Sequence, residues 1–240
     1  MIFFKETNFP NNTPITSTGK KEIEKGQGTH PHFENLRVYL ITDRKRIPGD
    51  DFLNAVESAL QGGVRAIQLR EKDLRPAALL ELAKQVKELT EKYGAWFFIN
   101  DRANIAKMAG AQGVHLTETS VSPKDITTGF PHLLKGASVH SLEGALKAEQ
   151  KGADFITFSP IFETPSKKKF GPPQGLDRLR EVARTVSIPV LALGGIKPNH
   201  VPEVLEHGAF GVGVISGIWD SKNIKQQAIE YTYHFGGTSS

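Results

Sequence analysis

The chain is 240 residues long, 38% hydrophobic, and carries a formal net charge of +4. That length fits one large α/β domain or two small ones, and the positive balance suits anionic ligands. Nucleic acid is not implied, because the basic residues are dispersed and no basic run is longer than Lys167–Lys169. The absence of cysteine excludes disulfides, thiolate catalysis and Cys-ligated zinc. No stretch approaches the ~18 apolar residues of a membrane helix, and the N-terminus lacks the apolar core of a signal peptide. The expectation is a cytoplasmic protein with no membrane partner.

Residues 1–34 mix Asn, Thr, Pro, Gly and Lys without a period and read as a mobile extension. From Arg37 an alternation begins. RVYLITD (37–43) is a predicted strand, and DDFLNAVESALQGG (50–63) has apolar residues at helical spacing. VRAIQLREKD (64–73) is the second strand, followed by a long helix over 76–94. AWFFIND (95–101) is the third, with a short helix over 102–109. GVHL (113–116) is the fourth, before a short helix near 122–127, and LKGASV (134–139) is the fifth, before a helix over 141–151. DFITFSPIF (154–162) is the sixth, then a polar loop and a helix over 176–186. Apolar runs at 189–193 and 211–215, each closed by glycine-bearing pairs, are the seventh and eighth. A last helix covers 222–235, and 236–240 fray as a disordered tail.

An internal repeat supports this count. ALQGGVRAIQL, KMAGAQGVHL, AEQKGADFITF and LEHGAFGVGVI each run from a helix end through a glycine into a strand, and recur every 40 to 56 residues. Eight strands alternating with helices favour a single-domain α/β fold, a (βα)8 TIM barrel over 35–235. The rival, an open doubly wound sheet, would want G-x-G-x-x-G after the first strand, and TDRKRIPGDD lacks it. In such a barrel the loops after strands seven and eight commonly hold phosphate. Gly194-Gly195 and Ser216-Gly217 stand there, suited either to an anion or simply to tight turns.

Barrel active sites lie at the C-terminal strand ends. At the end of strand two, alternation puts Gln68, Arg70 and Lys72 on one side. Two cations and an amide suit a di- or polyphosphate; the competing reading is an Arg-Glu-Lys ion-pair cluster through Glu71. Asp101, after Asn100, suits Mg²⁺ beside a phosphate or the capping of the next helix. His115 fits a packed, hydrogen-bonded role better than a ligand role. Ser138 and Ser141 offer hydroxyls, Ser141 also as a helix cap. The loop Glu163–Pro173 has the composition of an anion-gripping flap, or of an ordinary solvated loop. No Ser-His-Asp set, H-E-x-x-H or paired carboxylates occur. The groups present favour catalysis by positioning and charge stabilisation, with pyrophosphate departing.

From about residue 37 to 235 the chain resembles the thiamine phosphate synthase family, whose barrel is shared with a branch of thiazole tautomerases. The resemblance rests on YLITD (39–43), QLREK (68–72), Asn100-Asp101, GVHL (113–116), SVH (138–140), Thr164-Pro165-Ser166-Lys167, Gly194-Gly195-Ile196 and Ile215-Ser216. It implies coupling of a pyrimidine methyl diphosphate to a thiazole phosphate, with Mg²⁺ assisting diphosphate loss through a pyrimidine carbocation. It assigns Gln68, Arg70, Lys72, Asn100, Ser138 and Lys167 to the pyrimidine and its diphosphate. Arg70, Lys72, Ser138 and Lys167 are the catalytic set, and Asp101 is the metal ligand. Thr164, Ser166, Gly195, Ile215 and Ser216 would receive the thiazole phosphate. Leu69, Glu71 and Pro165, inside the matching runs, complete the substrate-binding set. A homo-oligomer is compatible with the sequence.

Two departures are visible. Ser120 occupies the place where synthases carry a second metal-binding Asp, and Glu118 is the nearest carboxylate. Tautomerases carry a proton-shuttling His at the end of strand six, where this chain has Phe158-Ser159-Pro160, leaving His115 or His140 as substitutes. An isomerase, or a non-catalytic thiazole-phosphate binder, is therefore the alternative to a synthase.

Overall fold

The structure, a computed structural model, describes residues 31–49, 51–164 and 172–236. Eight parallel strands close a barrel in sequence order. They are β1 (Val38–Ile41), β2 (Ala66–Leu69), β3 (Trp96–Asn100), β4 (Gly113–Leu116), β5 (Leu134–Val139), β6 (Phe155–Phe158), β7 (Val190–Leu193) and β8 (Gly211–Val214). Around them run α1 (Phe52–Gln61), α2 (Pro76–Lys92), α3 (Ala103–Met108), α4 (Pro123–Gly129), α5 (Leu142–Gln150), α6 (Gly175–Thr185) and α7 (Val201–Glu206). The chain then adds α8 (Ser216–Trp219) and α9 (Ile224–Thr232). This is the (βα)8 barrel expected from the sequence. The four residues of α8, too short to show a helical period, were not anticipated.

The repeated glycine is the stop signal of each unit. Gly63, Gly110, Gly152 and Gly208 have φ of 94°, 67°, 85° and 88°, a left-handed backbone that L side chains adopt at a cost. After each one the next amide bonds back five residues: Val64 to Ala59, Ala111 to Ala106, Ala153 to Ala148 and Ala209 to Val204. These are Schellman closures, which end the helix and turn the chain into the following strand.

Side-chain alternation along the strands makes two cores. Leu40, Ile67, Leu69, Phe97, Ile99, Val114, Ile156 and Val212 face the helices. Tyr39, Ile41, Ala66, Phe98, Phe155 and Leu191 fill the barrel. Within it the rings of Tyr39, Phe98 and Phe155 meet edge to face, with centroids 5.4–5.5 Å apart, an arrangement aromatic quadrupoles favour. Glycines make the room. A Cβ on Gly113 would lie 2.6 Å from Phe98, and one on Gly136 would lie 2.4 Å from Phe155 and 2.6 Å from His115 Nδ1.

The barrel floor is closed by a 3₁₀ helix, Pro31–Arg37. Leu36 is fully buried there, Phe33 packs edge-on against Trp96, and Arg37 stacks 4.0 Å over Phe210 while donating to its carbonyl. This 3₁₀ helix overlaps the last residues of the stretch assigned to the N-terminal extension, of which Phe33 helps to cover the apolar floor. Residues 1–30 and 237–240 lie outside the described residues. Among the described residues no helix is long and apolar enough to cross a membrane.

Gly136→Ala is expected to lower stability by about 1–3 kcal/mol, the usual cost of overpacking a tight core. Chemical denaturation of the two proteins measures it; an unchanged midpoint would show that the aromatic layer yields without strain.

Candidate active site at the C-terminal mouth of the barrel

The residues facing inward at the top of each strand follow from register. Gln68 on β2 stands two residues above Ala66, Asn100 on β3 pairs with His115 on β4, and Ser138 on β5 pairs with Thr157 on β6. Gln68, His115 and Thr157 are buried, while Asn100 and Ser138 are half-buried at the mouth. Gln68 Nε2 donates to Asn100 Oδ1 at 3.0 Å, and Asn100 Nδ2 donates to Asp101 Oδ2 at 3.1 Å. Gln68 Oε1 is left as the one buried side-chain polar atom without a partner among the described residues. An unpaired buried acceptor is costly unless a donor meets it.

The end of β2 separates the two readings of QLREK. Glu71 is buried and turned towards the first loop, where it accepts from Thr42 Oγ1 at 2.6 Å and from the Arg44 amide at 3.1 Å. Burial raises its pKa, opposed by those hydrogen bonds. It also lies 3.7 Å from Arg44 Nε. Thr42 Oγ1 in turn accepts from the Arg70 amide at 2.9 Å. Glu71 therefore buckles the first loop to the end of β2, and Leu69 is packed in the outer core. Neither side chain joins the residues at the mouth. Arg44, Lys45 and Arg46 are all ion-paired to Glu71, Asp73, Asp43 or Asp220. Arg70, half-buried, and Lys72, exposed, have no carboxylate partner among the described residues. The expected alternative, an Arg-Glu-Lys cluster, is absent from this group.

Asp101 adopts φ 60°, the one left-handed non-glycine residue in the described chain. Arg102, not Asp101, occupies the N-cap of α3, so capping does not account for Asp101. Its amide donates to His115 O at 3.0 Å, and its Oδ1 accepts a short hydrogen bond from Ser120 Oγ. Ser120 is held by the Thr117 amide at 2.7 Å. The carboxylate is thereby presented at the mouth between Asn100 and Ser120. Glu118 is exposed and leans towards α5, where its Oε1 lies 3.8 Å from the Cβ position of Gly144. It does not substitute for a second carboxylate beside Asp101. Among the described residues no three His, Asp or Glu side chains form a metal cage.

His115 fulfils its packed reading. It is 2% exposed, with Nδ1 3.2 Å from Tyr39 Oη and Nε2 3.0 Å from Ser138 Oγ. Burial first, and the Arg70 charge second, lower its pKa to about 3, so the ring is neutral. His140 is held at 2.7 Å from Nδ1 to the Ser159 carbonyl, and Ser141 caps α5 through the Gly144 amide.

Opposite this wall, β7 ends in Gly194 and Gly195, with φ of 99° and 69°. The loop after β6 lies against them: a Cβ on Gly195 would come 2.7 Å from Glu163 O and 2.8 Å from Phe162 Cβ. Ile215 is the N-cap of α8, which starts at Ser216. First-turn amides of a helix have no intrahelical acceptor. Trp219 Nε1 donates to Ile41 O at 2.7 Å and fixes α8 against β1. Thr164 is half-buried near the start of the loop after β6, and Pro165, Ser166 and Lys167 lie outside the described residues. Sequence reasoning missed the Thr42–Glu71–Arg44 buckle and α8. Only the alternation that turns Glu71 away from Arg70 hinted at the first.

A neutral buried His has a stability signature. Its folded pKa, about 3, lies below the ordinary 6.5, so the unfolded chain binds the extra proton between those values. Stability is therefore expected to fall as pH drops from 6.5 towards 3. His115→Gln should flatten that slope in denaturation measured at several pH values; an equal slope would place the acid sensitivity elsewhere.

A family model described as thiamine monophosphate synthase matches residues 38–218. A Geobacter sulfurreducens protein provisionally named thiamine-phosphate synthase is 48% identical over 198 residues, 81% of this chain and 92% of that one. The thiamine-phosphate synthase of Pyrococcus horikoshii is 39% identical over 193 residues, 80% of this chain and 91% of that one. The solved thiamine phosphate pyrophosphorylase of Pyrococcus furiosus is 36% identical, with a TM-score of 0.77, covering 83% of this chain and 95% of that chain. Matched from the first strand of the barrel to α8, the chain belongs to the thiamine monophosphate synthase family.

Proposed function

We propose that the chain is a thiamine-phosphate synthase, a transferase that joins a pyrimidine methyl diphosphate to a thiazole phosphate and releases pyrophosphate. The observation that carries this reading is the Arg70–Lys72 pair. It stands at the mouth without carboxylate partners among the described residues, while the neighbouring Arg44, Lys45 and Arg46 are neutralised. Uncompensated cations beside a buried neutral core are suited to a group carrying several negative charges.

In this reading Arg70 and Lys72 grip the diphosphate and stabilise the charge that grows on it as the methylene C–O bond breaks. The thiazole nitrogen then forms the new C–N bond, and the electron pair of the broken bond leaves with pyrophosphate. Gln68 Oε1, unpaired and buried, is supplied with a donor by the 4-amino group of the pyrimidine, and Asn100 holds the Gln68 amide for it. Ser138 contacts the diphosphate. Gly195, Ile215, Ser216 and Thr164 form the cup for the thiazole phosphate; of the residues outside the described chain, Ser166 is assigned to the same phosphate and Lys167 to the diphosphate, with Pro165 between them and Thr164 in sequence. The substrate class is small and phosphorylated, and nothing in the site calls for nucleic acid.

Mg²⁺ fits half of a protein site. Asp101 gives one carboxylate, Ser120 flanks it with a hydroxyl while Asn100 turns its Nδ2 donor towards it, and Mg²⁺ is commonly held by one or two carboxylates plus substrate phosphates. When bound it would neutralise diphosphate charge and assist departure of the leaving group. The isomerase alternative is not favoured. His115 is neutral and spent on Tyr39 and Ser138, His140 is tied to Ser159, and the end of β6 is Ser159-Pro160.

Purified protein given both substrates is expected to release pyrophosphate only with Mg²⁺ present, and EDTA should abolish the release. Arg70→Ala and Asp101→Ala should each lower kcat by ~10²–10³-fold, the range for removing one transition-state charge contact. Thiazole-phosphate binding without pyrophosphate release would sink the synthase reading. Ser120→Asp, which adds a second carboxylate beside Asp101, should tighten Mn²⁺ binding at least ~10-fold, since carboxylate count tunes affinity for hard cations; Mn²⁺ retained with the protein on ultrafiltration measures it, and unchanged retention would show that position 120 does not face the metal.

A further inference from the structure

Beneath the mouth runs a buried polar chain that the family assignment does not explain: Tyr39, His115, Thr157 and Ser138. Its hydrogen positions can be derived. Tyr39 Oη lies in the centre of the barrel, with the Phe98 and Phe155 rings around it. Its only hydrogen-bond partner among the described residues is His115 Nδ1, at 3.2 Å. A fully buried phenol must donate its proton to an acceptor, because leaving the O–H unpaired costs its whole desolvation. Burial also pushes the Tyr39 pKa well above its ordinary value, so the proton stays on the oxygen. Nδ1 is therefore the acceptor, and in a neutral ring the proton sits on Nε2.

The direction then propagates upward. Nε2–H donates to Ser138 Oγ at 3.0 Å. Thr157, also fully buried, needs an acceptor for its hydroxyl; His115 Nε2 carries a proton, so Ser138 Oγ, at 3.4 Å, is the one available. A serine oxygen has two acceptor positions, and both are now taken from below. Its own proton has only the mouth to point to, and Ser138 is the one half-buried member of the chain.

We infer that Tyr39 and His115 are positioning residues that make Ser138 an obligate hydrogen-bond donor, so that it takes an anionic oxygen of the substrate diphosphate and rejects a donor group in the same place. This rests on the synthase reading for the identity of the ligand, while the hydrogen-bond wiring rests on the barrel interior alone. The wiring also gives a reason for a histidine at a place where it cannot become charged. A neutral imidazole accepts at one nitrogen and donates at the other, so it passes the direction of a hydrogen bond across the barrel axis. Gly136 is part of the device, since a Cβ there would meet Nδ1 at 2.6 Å.

Ring-¹⁵N histidine NMR at pH 7 tests the wiring, with the His115 signals assigned by their loss in His115→Gln. The expected wild-type spectrum has an unprotonated, pyridine-like Nδ1 and a proton-bearing Nε2, and Tyr39→Phe should abolish this fixed tautomer. Calorimetric binding of inorganic pyrophosphate tests the consequence. Ser138→Ala should weaken it roughly tenfold, as for loss of a hydrogen bond to a charged group, and Tyr39→Phe several-fold. The double variant should bind no more weakly than Ser138→Ala alone, because both remove the same interaction. A merely structural role for Tyr39 would give additive losses. A proton on Nδ1 in the wild type, or additive losses, would overturn the inference and leave the synthase reading intact. A wild-type protein that does not bind pyrophosphate would overturn the synthase reading, and with it the ligand assigned to Ser138. Should Tyr39→Phe fail to fold, the wild-type tautomer still decides.

Discussion

The volume inside the barrel is the constraint on which the rest of this structure depends. Eight strands leave an interior just wide enough to be filled by side chains. Here three aromatic rings and one imidazole occupy the same level. They fit only because β4 and β5 place Gly113 and Gly136 against them, where a Cβ would overlap ring atoms. The filling makes the barrel a dry floor for the mouth. Water cannot rise from below to compete for Gln68, Ser138 or Asn100, and charge on that floor is disfavoured, as the lowered pKa of His115 records.

Electrostatics at the mouth follow from that floor. Arg70 lies close enough to His115 to disfavour its protonation, so the guanidinium sits over a neutral base rather than another cation. Glu71, the next residue, could have cancelled it. The Thr42–Glu71–Arg44 buckle prevents this by spending the Glu71 carboxylate on the other side of β2. The same buckle orders the β1 loop, because Thr42 Oγ1 also accepts from the Arg70 amide. One carboxylate thus fixes a loop and leaves a cation free for a ligand. That division of labour is a better account of the Arg-Glu-Lys sequence than either a rim ion-pair cluster or three side chains all facing the substrate.

Much of the fold was legible because the repeat carries its own physics. A glycine after α1, α3, α5 and α7 marks a left-handed stop, and an apolar run after it marks a strand, so Gly63, Gly110, Gly152 and Gly208 punctuate the barrel in the sequence itself. The inward set at the strand ends was legible from period two. The same alternation sends Leu69 and Glu71 the other way, yet matching by motif swept them into the substrate-binding set, and the structure places Leu69 in the outer core. Alternation gives the side to which Glu71 turns but not its partner, so sequence could not foresee what Glu71 would grip. Nor could it foresee α8, whose four residues complete one turn, or the hydrogen bond from Trp219 that ties this turn to β1 across 178 residues of chain.

Ser120 bears on the balance of charge at the mouth. A carboxylate there would stand beside Asp101, and two neighbouring carboxylates disfavour each other's ionisation unless a cation lies between them. With Ser120 the pair becomes one carboxylate and one hydroxyl donor, which satisfy each other without a metal. Asp101 is then held in its left-handed backbone by three contacts: its own amide on His115 O, Asn100 on one carboxylate oxygen and Ser120 on the other. The mouth is consequently organised before any cation arrives and is more positive by one charge than it would be with an acid at position 120. Under the synthase proposal, a cation at such a site would take more of its ligands from the diphosphate than from the protein, and Arg70 and Lys72 would carry more of the holding of that diphosphate. On that proposal Ser120 would shift work from metal to guanidinium and ammonium, and the pair at the end of β2, uncancelled among the described residues, is where the chain could take that load.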